Sequence, residues 1–212
     1  MSEQAITYFN QAQMMLLDLH SSILRHLMAT QSMEEARQGN QETVELFDGV
    51  ELRDGLRDAC SVGLDRVKLK LQANIRAIET YGVLIDIAAG ALLQISKQAL
   101  SIAHGKRENA PTGSRISSTC VRDLIWHGRN QSMHYEETRL MPLRNDNGKV
   151  IFGCSTWVET FQMLNEQNPG RFEMAPPYRS LAKDVLDALE WTYDYGKFER
   201  DMRHLIGTPT PV

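Results

Sequence analysis

Two arginines and two histidines stand within the seventeen residues "VRDLIWHGRNQSMHYEE", positions 121 to 137. Wound as a helix at about 100° per residue, this stretch gathers Asp123, His127, Asn130, His134 and Glu137 into a strip about 80° wide. Arg122 and Arg129 lie two turns apart on one flank, with Trp126 and Met133 between them and the strip. Imidazole titrates near neutral pH, so one histidine can remove a proton while another donates one. Arginine presents a planar fork of donors suited to a phosphate whose charge is growing. An asparagine amide can orient the histidine or contact a phosphate oxygen. Together these residue types fit cleavage of RNA by its own 2′-hydroxyl. That chemistry needs no cofactor and no metal, and carboxylates are too few in the stretch to build a metal cage.

The other side of the same helix carries Val121, Leu124, Ile125, Gly128, Ser132 and Tyr135, which should pack on the rest of the molecule. A Trp beside a Met on an outward face is costly to leave in water, so something should cover it. One cover is a second copy of the helix across a two-fold axis. The other is the C-terminal segment folding back over the face. A symmetric dimer would bring Arg129, Asn130 and His134 of one subunit close to their counterparts. Two registers satisfy the same arginine–histidine pattern: Arg129, Asn130 and His134, and, one heptad earlier, Arg122, Asp123 and His127. A neutral amide after the arginine repels phosphate less than Asp123 does, which favours the later register.

These residues must be positioned by helices. Apolar residues recur at helical spacing over about Glu3 to Thr30, Val50 to Ile78 and Tyr81 to His104. A break or kink is expected near Gly82, and a polar loop or short helical connector over "SMEEARQGNQETVELFDG". The third helix is apolar on most sides, as a central helix should be. Gly105 and the Pro-containing "HGKRENAPTGS" stop it. The fourth helix is expected from about Ser114 to Ser118 onward, and a last one over about Tyr178 to Ile206. "RNDNGKVIFG" reads as a turn with a short strand pair, and "NEQNPGRFEMAPP" as an irregular connector. No strand series, internal repeat or sustained heptad is visible. The expectation is an all-α, antiparallel bundle of four to five long helices in one domain over 1–212, with a partly irregular insertion near 140–177.

Composition narrows the partners. The 212 residues are 42% hydrophobic with a net charge of −4, which argues against a protein coated in positive charge but leaves room for a local basic groove. One such groove could follow Arg53, Arg57, Arg66, Lys68, Lys70 and Arg76 of the second helix, though a solvated face is the commoner meaning of such a side. Cys60, Cys120 and Cys154 are widely spaced and form no CxxC pair, so neither a disulfide framework nor a zinc site is expected. The polar N-terminus lacks a signal-peptide pattern, and "YGVLIDIAAGALLQI" carries Asp86 and falls short of a membrane span. A cytoplasmic protein that does not enter a membrane is expected.

"RNQSMH", Arg129 to His134, resembles the R-x4–6-H signature of HEPN-domain proteins, in the common form with a polar residue after the arginine. The resemblance covers the motif and the helical layout of about 1–140 and 178–206. It implies a dimerising bundle of four or five helices and, as in many members, a metal-independent endoribonuclease of a toxin or antiviral-defence system, with an antitoxin or defence partner. Carried over by motif, Arg129 and His134 would be catalytic and Asn130 supporting. A non-catalytic module of the family, binding RNA or protein through the same face, is the second reading. An unrelated helical interaction protein is the third. Two departures stand out. In family toxins silenced by a nucleotidyltransferase, an H-x-Y tyrosine accepts AMP, whereas Tyr135 here directly follows His134 and lies on the packing side. Glu136 and Glu137 also bring negative charge, and Glu137 could hold His134 protonated or repel RNA.

The remaining polar residues have structural readings. His204 near a helix C-terminus favours the dipole, and His20 and His26 fit surface or satisfied core positions. Asp86, within an apolar helix, needs a partner: a structural salt bridge, or a place beside Arg129.

Overall fold

The polar stretch after Thr30 does not break the first helix. Gln31, Gln38 and Gln41 donate to Glu35, Glu42 and Glu45 one turn on, at 3.3, 3.0 and 2.7 Å. Arg37 pairs with Glu34 at 2.6 Å. Side-chain pairs three and four residues apart support a helix this rich in polar residues, so α1 runs unbroken over Glu3–Asp48. Of the two expectations for this stretch, loop or short helical connector, the helical one holds, as a continuation of the first helix. The second and third expected helices are likewise one, α2, Asp54–His104, passing straight through Gly82. The computed structural model describes residues 3–48, 54–135, 141–144, 150–153, 156–176 and 178–207.

After α2 come a single 3-10 turn at Arg107–Asn109 and a minimal antiparallel ladder, β1 (Arg115–Ile116) with β2 (Thr119–Cys120). The fourth helix, α3, starts only at Val121 and ends at His134. A second ladder pairs β3 (Met141–Arg144) with β4 (Val150–Gly153), the short strand pair that the sequence suggests. Three helices follow: α4 (Thr156–Gln167), α5 (Ala182–Ala188) and α6 (Tyr195–Ile206). The chain is all-α.

Two parts of the expected insertion and tail differ. Within the partly irregular 140–177 segment, Trp157, Phe161 and Leu164, at i, i+4 and i+7, are buried on one side of an amphipathic helix that the sequence reading does not single out. The single last helix is two. Its break is a Schellman arrangement without glycine: Trp191 N–H donates to Leu186 O at 2.8 Å and Glu190 N–H to Asp187 O at 3.1 Å. Glu190 takes the left-handed conformation this needs, at φ 60°. Asp194 then caps α6 by accepting from Lys197 N–H at 2.7 Å.

The chain divides into two compact units, 1–22 with 86–212, and 23–85. In the first, α1 buries Ala5, Phe9, Ala12 and Leu16, so its alanines matter, while Met14 and Leu17 of the expected stripe are exposed. α2 contributes Ala88, Ala89, Leu92, Leu93, Ile95, Ala99 and Leu100 to the core. By length and composition α2 is the one helix among the described residues that could cross a membrane, and 39% of its most apolar window is buried. Trp191 anchors the same unit, fully buried, with its indole N–H on Asp201 at 2.7 Å and its carbonyl accepting from His20 at 3.0 Å.

The second unit is a helical hairpin. Among its buried and half-buried positions one set recurs at 4–3 spacing: Ile23, Leu27, Thr30, Glu34, Arg37, Gln41 and Val44 on α1, and Cys60, Leu64, Val67, Leu71, Asn74, Ile78, Tyr81 and Ile85 on α2. A heptad seam is therefore present. Polar residues at many of its positions hide it from a search for apolar repeats. His26 stacks on Tyr81 with ring centroids 5.6 Å apart. Arg66, Lys68, Lys70 and Arg76 are exposed on this hairpin; Arg53 and the side chain of Arg57 lie outside the described residues.

Candidate functional site

α3 buries Val121, Leu124, Ile125 and Gly128, the side that its wheel assigns to packing. Gly128 is the closest approach. A Cβ built there would meet both methyl groups of Val185 at 3.0 Å and Leu93 Cδ1 at 3.2 Å, so α2 and α5 touch α3 where it has no side chain. Along the seam with α2 the partners run in opposite order. Ser132 faces Gly90, Arg129 Nε donates to Gln94 Oε1, and Trp126 lies beneath Lys97, whose Nζ is 5.2 Å from the ring centroid.

The earlier register, Arg122, Asp123 and His127, is built into an internal network. Arg122 forks onto Asp123 at 2.9 and 3.3 Å and donates a third bond to Ala110 O at 2.9 Å. Burial works to raise the Asp123 pKa, but hydrogen bonds from Arg122 and the Cys120 thiol, with the charges of Arg122 and Arg107, hold the carboxyl below its ordinary value. His127 is 3% exposed. Its Nε2 meets the Arg107 guanidinium, a group that only donates, so this nitrogen is the acceptor. Its Nδ1 faces Thr160 Oγ1 at 3.2 Å. The wheel places His127 on an outward strip. α4, out of sight of any wheel, supplies Thr160 and covers it. Gln131, off that strip, is buried as well. Its amide donates to Arg179 O at 2.9 Å and accepts from Leu181 N–H at 2.7 Å, pinning the approach to α5.

The later register is placed differently. Arg129 and Asn130 are half-buried, and Arg129 Nη1 donates to Asn130 Oδ1 at 3.2 Å. His134 is exposed at the end of α3, beside Met133, which is 59% exposed. Neither Arg129 nor Lys97 has a carboxylate partner among the described residues. Burial, and then the charge of Arg129, lower the Lys97 pKa. Tyr135 follows as the half-buried C-cap. Glu136 and Glu137, and Cys154 further on, lie outside the described residues.

Asp86 stands apart from Arg129. The charges acting on it are those of Arg179, Asp184 and Lys183 around α5, and burial raises its carboxyl to about 6. His20 is a satisfied core group, and His204 is exposed in the last turn of α6.

Sequence reasoning misses Lys97, Gln94, Arg107, Gln131 and Thr160. Gln94 and Lys97 are three apart on α2, as Trp126 and Arg129 are on α3, so a wheel of α2 puts the first pair on one face. Nothing local marks Thr160, whose relevance depends on where α4 docks. Comparisons with family models, curated proteins and solved structures return no match.

Proposed function

We propose that this chain is a metal-independent endoribonuclease of the HEPN type, acting as a homodimer, in the setting of a toxin or defence effector. The observation that carries the reading is the contrast along α3. His127 is enclosed by Arg107 and Thr160, whereas His134 is exposed five residues after Arg129. The later register therefore has an imidazole that substrate can reach, and a guanidinium not neutralised by a carboxylate among the described residues. Met133 beside it offers apolar surface for a second copy.

In this reading the RNA 2′-hydroxyl gives its proton to His134 of one protomer, and the 2′-oxygen attacks the adjacent phosphorus. The bond to the 5′-oxygen breaks, and that oxygen takes a proton from the second copy's imidazole. The products are a 2′,3′-cyclic phosphate and a 5′-hydroxyl. Arg129 stabilises the charge that grows on the non-bridging oxygens, and Asn130 keeps its guanidinium in place.

The test incubates purified protein with single-stranded or loop RNA in EDTA and analyses the product ends. A cyclic phosphate, lost in His134→Ala with the fold retained, is the expected result. Undiminished cleavage by that variant would sink the assignment. A dimer by sedimentation that binds RNA without turnover would leave the non-catalytic module as the reading.

A further inference from the structure

Lys97 and Arg129 are like charges that act on one another across the seam between α2 and α3. Each comes from a different helix of the first unit, held by the seam in which Gln94 receives Arg129 Nε and the Trp126 ring lies under Lys97. Like charges brought together in a partly desolvated place oppose folding unless a counter-charge is supplied. At the other end of α3 the protein supplies one: Arg107 and Arg122 share Asp123, and Arg107 also meets Glu108 at 3.4 Å. Beside Lys97 no carboxylate of the described residues does so. The cation–π contact accounts for the lysine stem lying over Trp126, yet a methionine would cover that ring with no charge to desolvate. What the charge adds is attraction for an anion at this spot.

We propose that Lys97 and Arg129 together hold one phosphodiester of a single-stranded RNA, with Lys97 as a phosphate-binding residue next to the scissile position. The inference rests on the reading of α3 as an RNA-processing face. Arginine contributes a directed fork and lysine a compact charge, a division suited to two oxygens of one phosphate. Trp126, half-buried beneath Lys97, puts an aromatic ring beside the two cations.

The test uses a 2′-O-methyl oligoribonucleotide, which cannot be cleaved, so binding is read without turnover. Lys97→Gln should weaken its binding about tenfold at low salt and reduce the slope of log affinity against log salt by about 0.7, the share of one phosphate contact on a single strand. Lys97→Arg should keep most of the affinity. Lys97→Met should melt no lower than the parent while binding as weakly as Lys97→Gln, an outcome a structural lysine does not give. Lys106→Gln, an exposed cation after α2, should bind as the parent does. Failure of the parent to bind, an unchanged salt slope in Lys97→Gln, or an equal loss in Lys106→Gln would each overturn the proposal. Binding that depends on Lys97 without any cleavage of unmodified RNA would retain this site and remove the nuclease. Cleavage with no dependence on Lys97 would do the reverse.

Discussion

His127 Nδ1 lies 3.2 Å from Thr160 Oγ1, across the contact between α3 and α4. Seven residues later on the same helix, His134 is exposed. Two imidazoles with almost the same helical phase therefore do opposite jobs, one holding helices together and one facing outward.

The stability of the two variants should separate accordingly. His127→Ala removes a buried ring and takes from Arg107 Nη1 the acceptor it has there, which should cost about 2–3 kcal/mol. His134→Ala should stay within about 0.5 kcal/mol of the parent, as surface substitutions do. Urea unfolding of the two proteins under one condition checks this, and equal losses would contradict the division of roles.

Much of α3 is legible in sequence, because its apolar side is set by local periodicity: Val121, Leu124, Ile125 and Gly128 pack as their spacing requires. The burial of His127 is not legible, since it depends on a helix some thirty residues later whose Trp157, Phe161 and Leu164 lie in a stretch to which the sequence reading assigns no element. The hairpin seam fails for another reason. Glu34, Arg37 and Gln41 occupy core-like heptad positions in a unit too thin to exclude water from long side chains. Length of helix, too, escapes a reading that takes polarity and a glycine for a loop, when Gln–Glu pairs one turn apart sustain α1 to Asp48.

Gly128→Ala should destabilise despite the better helix propensity of alanine. The propensity gain is about 1 kcal/mol, but the new methyl group would stand 3.0 Å from both Val185 methyls, and Val185 is fully buried. Overpacking of this kind costs about 1–3 kcal/mol, so a net loss of about 1 kcal/mol is expected in chemical denaturation. A more stable variant would mean that α5 shifts easily against α3.

Asp86 should give the protein a pH-dependent stability of a definite sign. Burial raises its carboxyl from 3.8 to about 6; Arg179 and Lys183 oppose the rise and Asp184 adds to it. The folded state then binds more protons than the unfolded one between about pH 4 and 6, so stability falls as pH rises through that window. Asp123, held below its ordinary value, contributes stability that is lost only at lower pH. Asp86→Asn keeps an acceptor for the Lys183 N–H and should stabilise by about 1–2 kcal/mol at pH 7.5, allowing for partial exposure. The gain should shrink toward pH 4. A gain independent of pH would assign the effect to packing.

The turn between α5 and α6 offers the sharpest backbone test. Glu190 holds φ at 60° so that Trp191 and Glu190 can donate to the last carbonyls of α5, and this turn delivers Trp191 to the core. A left-handed conformation costs a residue with a Cβ about 1–2 kcal/mol, and the Glu190 side chain returns little, its exposed carboxylate lying 3.7 Å from Lys197. Glycine removes that strain, while the freedom it adds to the unfolded chain takes back about 0.4–1 kcal/mol. Glu190→Gly should therefore stabilise by about 0.5–1 kcal/mol. Glu190→Val, β-branched and intolerant of positive φ, should destabilise by more than that. Urea midpoints that move in the same direction for both variants would show that the chain leaves α5 by some other turn.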